Sequence, residues 1–386
     1  MAFMLVLFPS DVLRPRRCDE HFAAEADAAR SAGHQVAVVD HDALASGAAE
    51  QAVSRVPSDA VAVYRGWMLD SQAYEGFAAA LRRRGVRLLT TPEQYRRAHE
   101  LPGWYAALAA FTPASAWTVG TDRSAFDTAR ESLGAGAGVL RDYTKSMKHH
   151  WDEAVYIPDL TNGPAAWSVA ERLHELRGDD FAGGFVVRRF EQFTGAEVRT
   201  WWIHGTCRLI TAHPDTPDES PPADADVVVP AGVAAAIATL RLPFVTVDLA
   251  RRADGIWRII ELGDGQVSDR PSTTPPAALI AVLPTGDEPA GPAEPQPATP
   301  SMPPAEFALS VSDVFVLGNR GIVAAGPDTG AEFRSGGEVQ IWNGDELRGR
   351  STAFVELHSR QGTIALLLTS AGTHVRPGDR ITGPRR

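Results

Sequence analysis

Apolar residues recur along the first third of the chain in two alternating rhythms. Phe3–Phe8, Gln35–Asp40, Ala60–Tyr64 and Arg87–Leu89 have the length and apolar content of buried strands. Between them, His21–Ala32 and Ser71–Arg84 repeat apolar positions at helical spacing. This alternation predicts a parallel sheet with crossover helices, hence an α/β N-terminal domain over residues 1–112. From 113 to 284 the pattern becomes mixed, with hairpins and a few helices, and predicts an α+β domain. Residues 285–306 lose all periodicity and, with Pro295-Gln-Pro-Ala-Thr-Pro300, read as a Pro-rich tether. Residues 307–386 give short β-rich runs such as Glu338–Trp342 and Thr352–Leu357 between glycines, which predict a small all-β barrel.

Within the second domain, Phe244–Ala250 and Ile256–Leu262 are β-rich runs flanking Asp254-Gly255, a strong signal for a two-residue hairpin turn. Counting outward from that turn sets Asp248 directly opposite Glu261 and Arg251 opposite Arg258. Opposed side chains lie about 5 Å apart at Cβ, where like charges repel. Two carboxylates so placed among apolar neighbours either share a divalent cation, or one turns to solvent or to an arginine.

The net charge of −11 over 386 residues argues against a general nucleic-acid binder. Two cysteines, Cys18 and Cys207, cannot make a disulfide framework and fit a reducing cytoplasm. The apolar start, Met1–Phe8, lacks the basic flank of a signal peptide, and no run is long enough to span a membrane. There is no Gly-rich dinucleotide fingerprint after the first strand and no Walker-type phosphate loop.

Cations gather instead in Val139-Leu-Arg-Asp-Tyr-Thr-Lys-Ser-Met-Lys148, where Arg141, Lys145 and Lys148 either cradle polyphosphate or form a solvated basic loop. Phe185-Val-Val-Arg-Arg-Phe-Glu191 is an apolar strand ending in Arg189 and Glu191. Arg199 lies inside the hydrophobic strand Glu197–Ile203, as an ion-pair partner or a ligand contact. Arg65 ends a predicted strand, where it would meet a substrate carboxylate or form a loop ion pair. His204, Cys207 and His213 lack the fourth ligand of a zinc site, and His149-His150 reads as part of the basic loop.

These pieces in this order resemble the ATP-grasp superfamily. The closer resemblance is to a divergent clade that includes the eukaryotic cell-division-cycle protein assembling a translation initiation factor, and bacterial proteins predicted to be peptide ligases. It is carried by Arg141 with Lys145-Ser-Met-Lys148 and Trp151, Gly195-Ala-Glu-Val-Arg199, Asp248, and Ile260-Glu-Leu-Gly-Asp-Gly-Gln-Val-Ser-Asp269. The resemblance covers roughly residues 1–284 and implies an ATP-grasp domain over 113–284. It implies that Arg141, Lys145, Lys148, Arg189, Glu191 and Arg199 contact ATP, with Lys148 and Arg199 catalytic, and that Asp248, Glu261 and Asp264 hold magnesium. The implied activity is carboxylate–amine ligation of an amino acid, peptide or protein through an acyl phosphate. The alternative is an ATP-binding assembly chaperone or regulator without ligase turnover. Two departures stand out. Arg141 replaces the usual lysine, and Gly263 stands where the second strand normally carries an asparagine, leaving Asp264 as the substitute.

Residues 307–386 are similar to the second domain of elongation factor Tu, through Phe307–Phe315, Gly318–Gly326, Gly337–Ile341 and Arg376-Pro-Gly-Asp379. That likeness implies a binding module, with a translation factor or another protein as partner and no membrane association.

Overall fold

The computed structural model describes residues 4–219, 221, 228–284, 307–316, 322–327, 337–343, 346–355, 363–368 and 375–383. The chain divides into two compact units, residues 1–291 and 292–386. The predicted tether, 285–306, and the stretch 318–321 of the predicted barrel lie outside the described residues.

The first unit begins with four parallel strands, β1 (Leu5–Pro9), β2 (Gln35–Val39), β3 (Val61–Tyr64) and β4 (Arg87–Leu88), in the order β2-β1-β3-β4. The helices α1 (Ala23–Ser31) and α4 (Ser71–Arg83) lie within the helices expected from the apolar periodicity, whereas α2 (His41–Ala45) and α3 (Ala49–Ala52), about one turn each, are additions the periodicity does not mark. Asp70 caps α4 by accepting the Ala73 amide hydrogen, and Thr91 with Gln94 forms a capping box on α5 (Pro92–His99), whose first residue is proline. One face of the sheet packs Leu5, Leu7 and Tyr64 against α4. The other packs Val6 and Phe8 against Phe22 and Ala26, and onward to Trp201 and Phe244. This second layer buries the back of the parallel sheet on the domain that follows it.

That domain has two antiparallel sheets. The smaller, in the order β5-β8-β6-β7, is formed by β5 (Ser115–Trp117), β6 (Gly138–Arg141), β7 (Tyr156–Ile157) and β8 (Val186–Arg189). It is reached through α6 (Leu101–Leu108), and α7 (Arg123–Ser132) and α8 (Gly163–Arg177) supply its apolar cover. The larger, β10-β9-β11-β12, contains β9 (Phe193–Ile203), β10 (Thr206–Ala212), β11 (Phe244–Arg252) and β12 (Trp257–Asp264). Val245, Val247, Leu249, Ile259 and Leu262 make one face of it a core. The opposite face carries Arg199, Asp248 and Glu261 in successive strands.

The second unit is a seven-stranded antiparallel sheet, β13 (Phe307–Ser310), β14 (Asp313–Val316), β15 (Ile322–Pro327), β16 (Gly337–Asn343), β17 (Glu346–Val355), β18 (Thr363–Leu368) and β19 (Arg380–Gly383). Its order, β13-β19-β16-β17-β18-β15-β14, leaves β13 and β14 as the two ends of the ladder among the described residues. Leu309, Val339, Ile341, Leu366 and Ile381 form its core.

The hairpin between β11 and β12 corrects the turn read from sequence. The loop has three residues, Ala253–Gly255, because Arg252 donates its amide to the Ile256 carbonyl and Gly255 to that of Arg252, both at 2.8 Å. Gly255 takes φ +88, as a three-residue loop with a left-handed last position requires. Asp254 favours this form, since its carboxylate accepts the Ile256 amide and is clasped by the Arg252 guanidinium. Such a loop would slip the register by one and turn Glu261 to the other face. A β-bulge between Asp248 and Leu249, with Ile260 as the extra residue, restores it, so Asp248 still faces Glu261. Arg251 now faces Trp257, and the expected arginine–arginine repulsion does not arise.

Candidate functional site

Arg141, Arg199, Asp248 and Glu261 come from both sheets and converge on the face opposite the core. Arg141 ends β6, and its side chain is almost fully buried. It donates to the Thr144 carbonyl and, at 3.2 Å, to Glu261 Oε1. The next residue, Asp142, is fully buried and builds the loop that follows. One carboxylate oxygen accepts the amides of Thr144 and Lys145 at 2.7 and 2.6 Å, and the other meets Arg177 Nε at 2.8 Å. This anchoring holds the loop that carries Lys145 and Lys148. Lys148 reaches Asp215 at 3.3 Å. Burial disfavours its charge, but Glu197 and Asp215 outweigh that and raise its pKa.

Arg199 grips Asp248 with both prongs, Nε and Nη2 each at 2.8 Å, and gives Nη1 to the Asp269 carbonyl at 3.0 Å. Burial pushes the Asp248 carboxyl up, but Arg199 more than offsets this and holds it well below the usual carboxylate range. For Glu261 burial again raises, and Arg141 and Lys145 prevail in lowering it. Two ionised acids therefore stand side by side on adjacent strands, each with its own arginine. Hard carboxylate oxygens in this arrangement fit a magnesium ion that also takes phosphate oxygens.

Glu197, two residues before Arg199 and on the same strand, joins His213 and Asp248 in a group whose ligand atoms lie within 4.8 Å of one another. His213 Nδ1 accepts the Asp215 amide at 3.2 Å, and Arg199 Nη2 lies 3.4 Å from its Nε2. That nitrogen lies 3.6 Å from Asp248 and 3.7 Å from Glu197. Arg199 stands against both this nitrogen and the Asp248 carboxylate, so the trio is an ion cluster organised around an arginine. His204 and Cys207 are at the opposite end of β10 from His213, so the three residues weighed for zinc do not come together.

Three candidates from the sequence stand elsewhere. Asp264 pairs in register with Val245, on the core face of the sheet, away from Asp248 and Glu261. It is fully buried beside Gln266, one carboxylate oxygen has no partner, and burial pushes its pKa up to about 7. Glu191 is held by Arg258 in a two-pronged ion pair, both contacts at 2.9 Å, with Arg252 at 3.5 Å. Arg189 donates to the carbonyls of Leu133 and Ala135 and so fixes the loop before β6. Arg65 is likewise structural. Wholly buried, it pairs with Glu25 at 3.0 Å and donates to the carbonyls of Gly265, Gln266 and Ser268. It thereby ties the first sheet to the loop following β12.

Gly263 lies on the same face as Asp248 and Glu261, opposite Thr246. A Cβ there would meet Thr246 Oγ1 at 3.2 Å and Ser268 Oγ at 3.4 Å. These hydroxyls bond each other at 2.7 Å, so they fill the space a longer residue at 263 would use. Beyond the acids, Trp151, Tyr156 and Phe190 form an aromatic cluster, Trp151 and Tyr156 stacked with centroids 5.7 Å apart. Trp151 opens a π-helical turn, Trp151–Val155, a backbone form frequent at functional sites.

The sequence of residues 132–283 matches a family described as an ATP-grasp domain, the third family of its clade. This segment is an ATP-grasp domain. Among solved structures, the chain is similar to a RimK domain protein ATP-grasp from Sphaerobacter thermophilus DSM 20745. The two are 20% identical, with 72% of this chain and 98% of that one covered and a TM-score of 0.49. D-cycloserine synthetase DcsG matches at 19% identity over 72% and 99% of the two chains, TM-score 0.48. The macrocyclase MdnC from Microcystis aeruginosa MRC, bound with precursor peptide MdnA, matches at 13% over 72% and 98%, TM-score 0.44. No curated protein matches the chain. These matches do not bear on the elongation-factor likeness of residues 307–386. Among the described residues no helix is long and apolar enough to cross a membrane.

Proposed function

We propose that the ATP-grasp domain makes this protein an ATP- and magnesium-dependent carboxylate–amine ligase acting on an amino acid, peptide or protein. The observation that carries the reading is the pair Asp248 and Glu261, ionised, opposed across the hairpin and each matched to an arginine. Arg141, Lys145, Lys148 and Arg199 are the nucleotide-facing cations of this proposal, and Lys148 and Arg199 the ones that act on the transferring phosphoryl group. A substrate carboxylate oxygen attacks the γ-phosphorus, the bond to the bridging oxygen breaks, and ADP leaves. An amine then attacks the acyl carbon, phosphate departs and the amine loses a proton to water. Magnesium at Asp248 and Glu261 would neutralise phosphate charge. The cations bind and orient the nucleotide, and a closed cleft limits hydrolysis of the acyl phosphate.

Incubation with ATP, magnesium and a pool of amino acids and peptides, followed by mass spectrometry, tests the reading. Ligation yields ADP and phosphate in step with a new amide. ATP binding without any amide product would instead favour nucleotide-gated assembly without bond formation. That second reading has one specific observation behind it, the absence of a side chain at Gly263 and the hydroxyl pair in its place. Residues 307–386 would then recruit a protein partner in either case, in the reducing cytoplasm that two unpaired cysteines suit.

A further inference from the structure

Arg188 is nearly fully buried in β8, yet nothing in an ATP-cleft reading requires a buried arginine there. It shares a face of the small sheet with Arg141, since Val139 pairs with Arg188 and Arg141 with Val186. From that face it reaches the other sheet. Nη1 donates to the Ile260 carbonyl at 2.7 Å, and Nη2 to Thr112 Oγ1 at 2.7 Å. Thr112 in turn donates its hydroxyl to the Ile259 carbonyl at 2.8 Å, while the Ile259 amide bonds the Phe111 carbonyl at 2.9 Å. Ile260 is the extra residue of the bulge that brings Glu261 opposite Asp248. A bulge takes a residue out of the ladder, and its polar groups need partners from elsewhere. Arg188 supplies the partner of the Ile260 carbonyl from outside the sheet, and Thr112 that of its neighbour Ile259.

The arginine is retained at a cost. Its Nε has no partner, and burial, followed by the nearby Arg141 charge, pushes its guanidinium pKa down to about 9. A hydrophobic residue would fill the space without that penalty.

We infer that Arg188 is a positioning residue for the metal edge: by clamping the bulged Ile260 carbonyl from the opposite sheet, it sets the direction in which Glu261 presents its carboxylate beside Asp248. The inference rests on the reading of Asp248 and Glu261 as metal ligands. Partners one layer out from a metal typically control affinity by 10–100-fold.

The test uses the full-length protein with saturating ADP, counting free Mn²⁺ by electron paramagnetic resonance as a stand-in for magnesium. Metal-free ATP affinity is measured in parallel by calorimetry. In Arg188→Lys the single ammonium cannot hold both acceptors, and Mn²⁺ should bind at least about tenfold more weakly. Thr112→Val should shift Mn²⁺ the same way by a smaller factor, and metal-free ATP should stay within about threefold in both. If Arg188→Lys fails to fold, Thr112→Val decides alone. Unchanged Mn²⁺ affinity in the folded variants overturns the inference, as does an equal loss of metal-free ATP binding, which would mean general collapse of the cleft. Failure of the underlying reading is distinct, because the unsubstituted protein would then bind no Mn²⁺.

Discussion

Replacing Asp248 by asparagine should move metal-free and metal-bound ATP in opposite directions. Asp248 and Arg199 are nearly buried side chains joined by two contacts of 2.8 Å. On the proposed reading, metal-bound nucleotide would dissolve that pair, the acid serving the cation and the arginine the phosphate. Asp248→Asn removes a negative charge that repels phosphate and frees Arg199. Two unit charges about 6 Å apart interact by about 3 kcal/mol at an effective dielectric constant of about 20. Metal-free ATP should therefore bind at least about tenfold more tightly, a conservative fraction of that figure. With magnesium present the lost ligand should cost about 1.5–3 kcal/mol, or about 10–150-fold. Calorimetric titration of ATP in excess chelator and in millimolar magnesium reads both numbers. Were Asp248→Asn to weaken metal-free ATP as much as its magnesium complex, the aspartate would be a scaffold for Arg199 and the exchange of partners would be wrong.

Further expectations follow from individual contacts. Asp264 titrates at about 7 against an ordinary 3.8, so the folded state holds its proton more tightly and stability falls as pH rises through that window. Asp264→Asn should melt higher than the parent at pH 8, by up to about 4 kcal/mol of stability, with the gain vanishing near pH 4. An equal gain at both pH values would contradict the buried-acid account. Glu191→Gln should cost about 1–3 kcal/mol in urea unfolding while leaving ATP affinity unchanged, because its partners are Arg258 and Arg252. A selective loss of ATP binding would return Glu191 to the nucleotide site. Arg65→Met leaves Glu25 with Arg270 alone, at 3.3 Å, and takes a donor from three carbonyls, of which that of Gln266 keeps the Gly66 amide. It should destabilise the first unit by about 3–5 kcal/mol, and an unfolding midpoint within error of the parent would refute that role.

What could be read beforehand was what depends on nearby residues. The parallel strands and α4 emerge from local apolar rhythm, and the structure places them within a residue or two of the expected limits. The opposition of Asp248 and Glu261 was legible for a less secure reason. The assumed turn was one residue too short, and a bulge at Ile260 compensates for the longer one. No local pattern announces that bulge, since its partners Arg188 and Thr112 lie about 70 and 150 positions away in the chain.

Asp264 could have been excluded from the chain alone. It is three residues beyond Glu261, and an odd separation along an uninterrupted strand puts two side chains on opposite faces. The same parity marks Glu197, an even step from Arg199, as a member of the cleft. Glu191 had no comparable signal, because its arginines come from the far end of a hairpin about 60 residues on. Alternation thus decides which side chains can share the cleft, and long-range ion pairs decide which of those remain free for a ligand. By that second criterion Lys145, exposed on a loop anchored by Asp142, is better placed to meet incoming phosphate than Lys148, which already reaches Asp215, or Arg189, whose guanidinium holds two carbonyls.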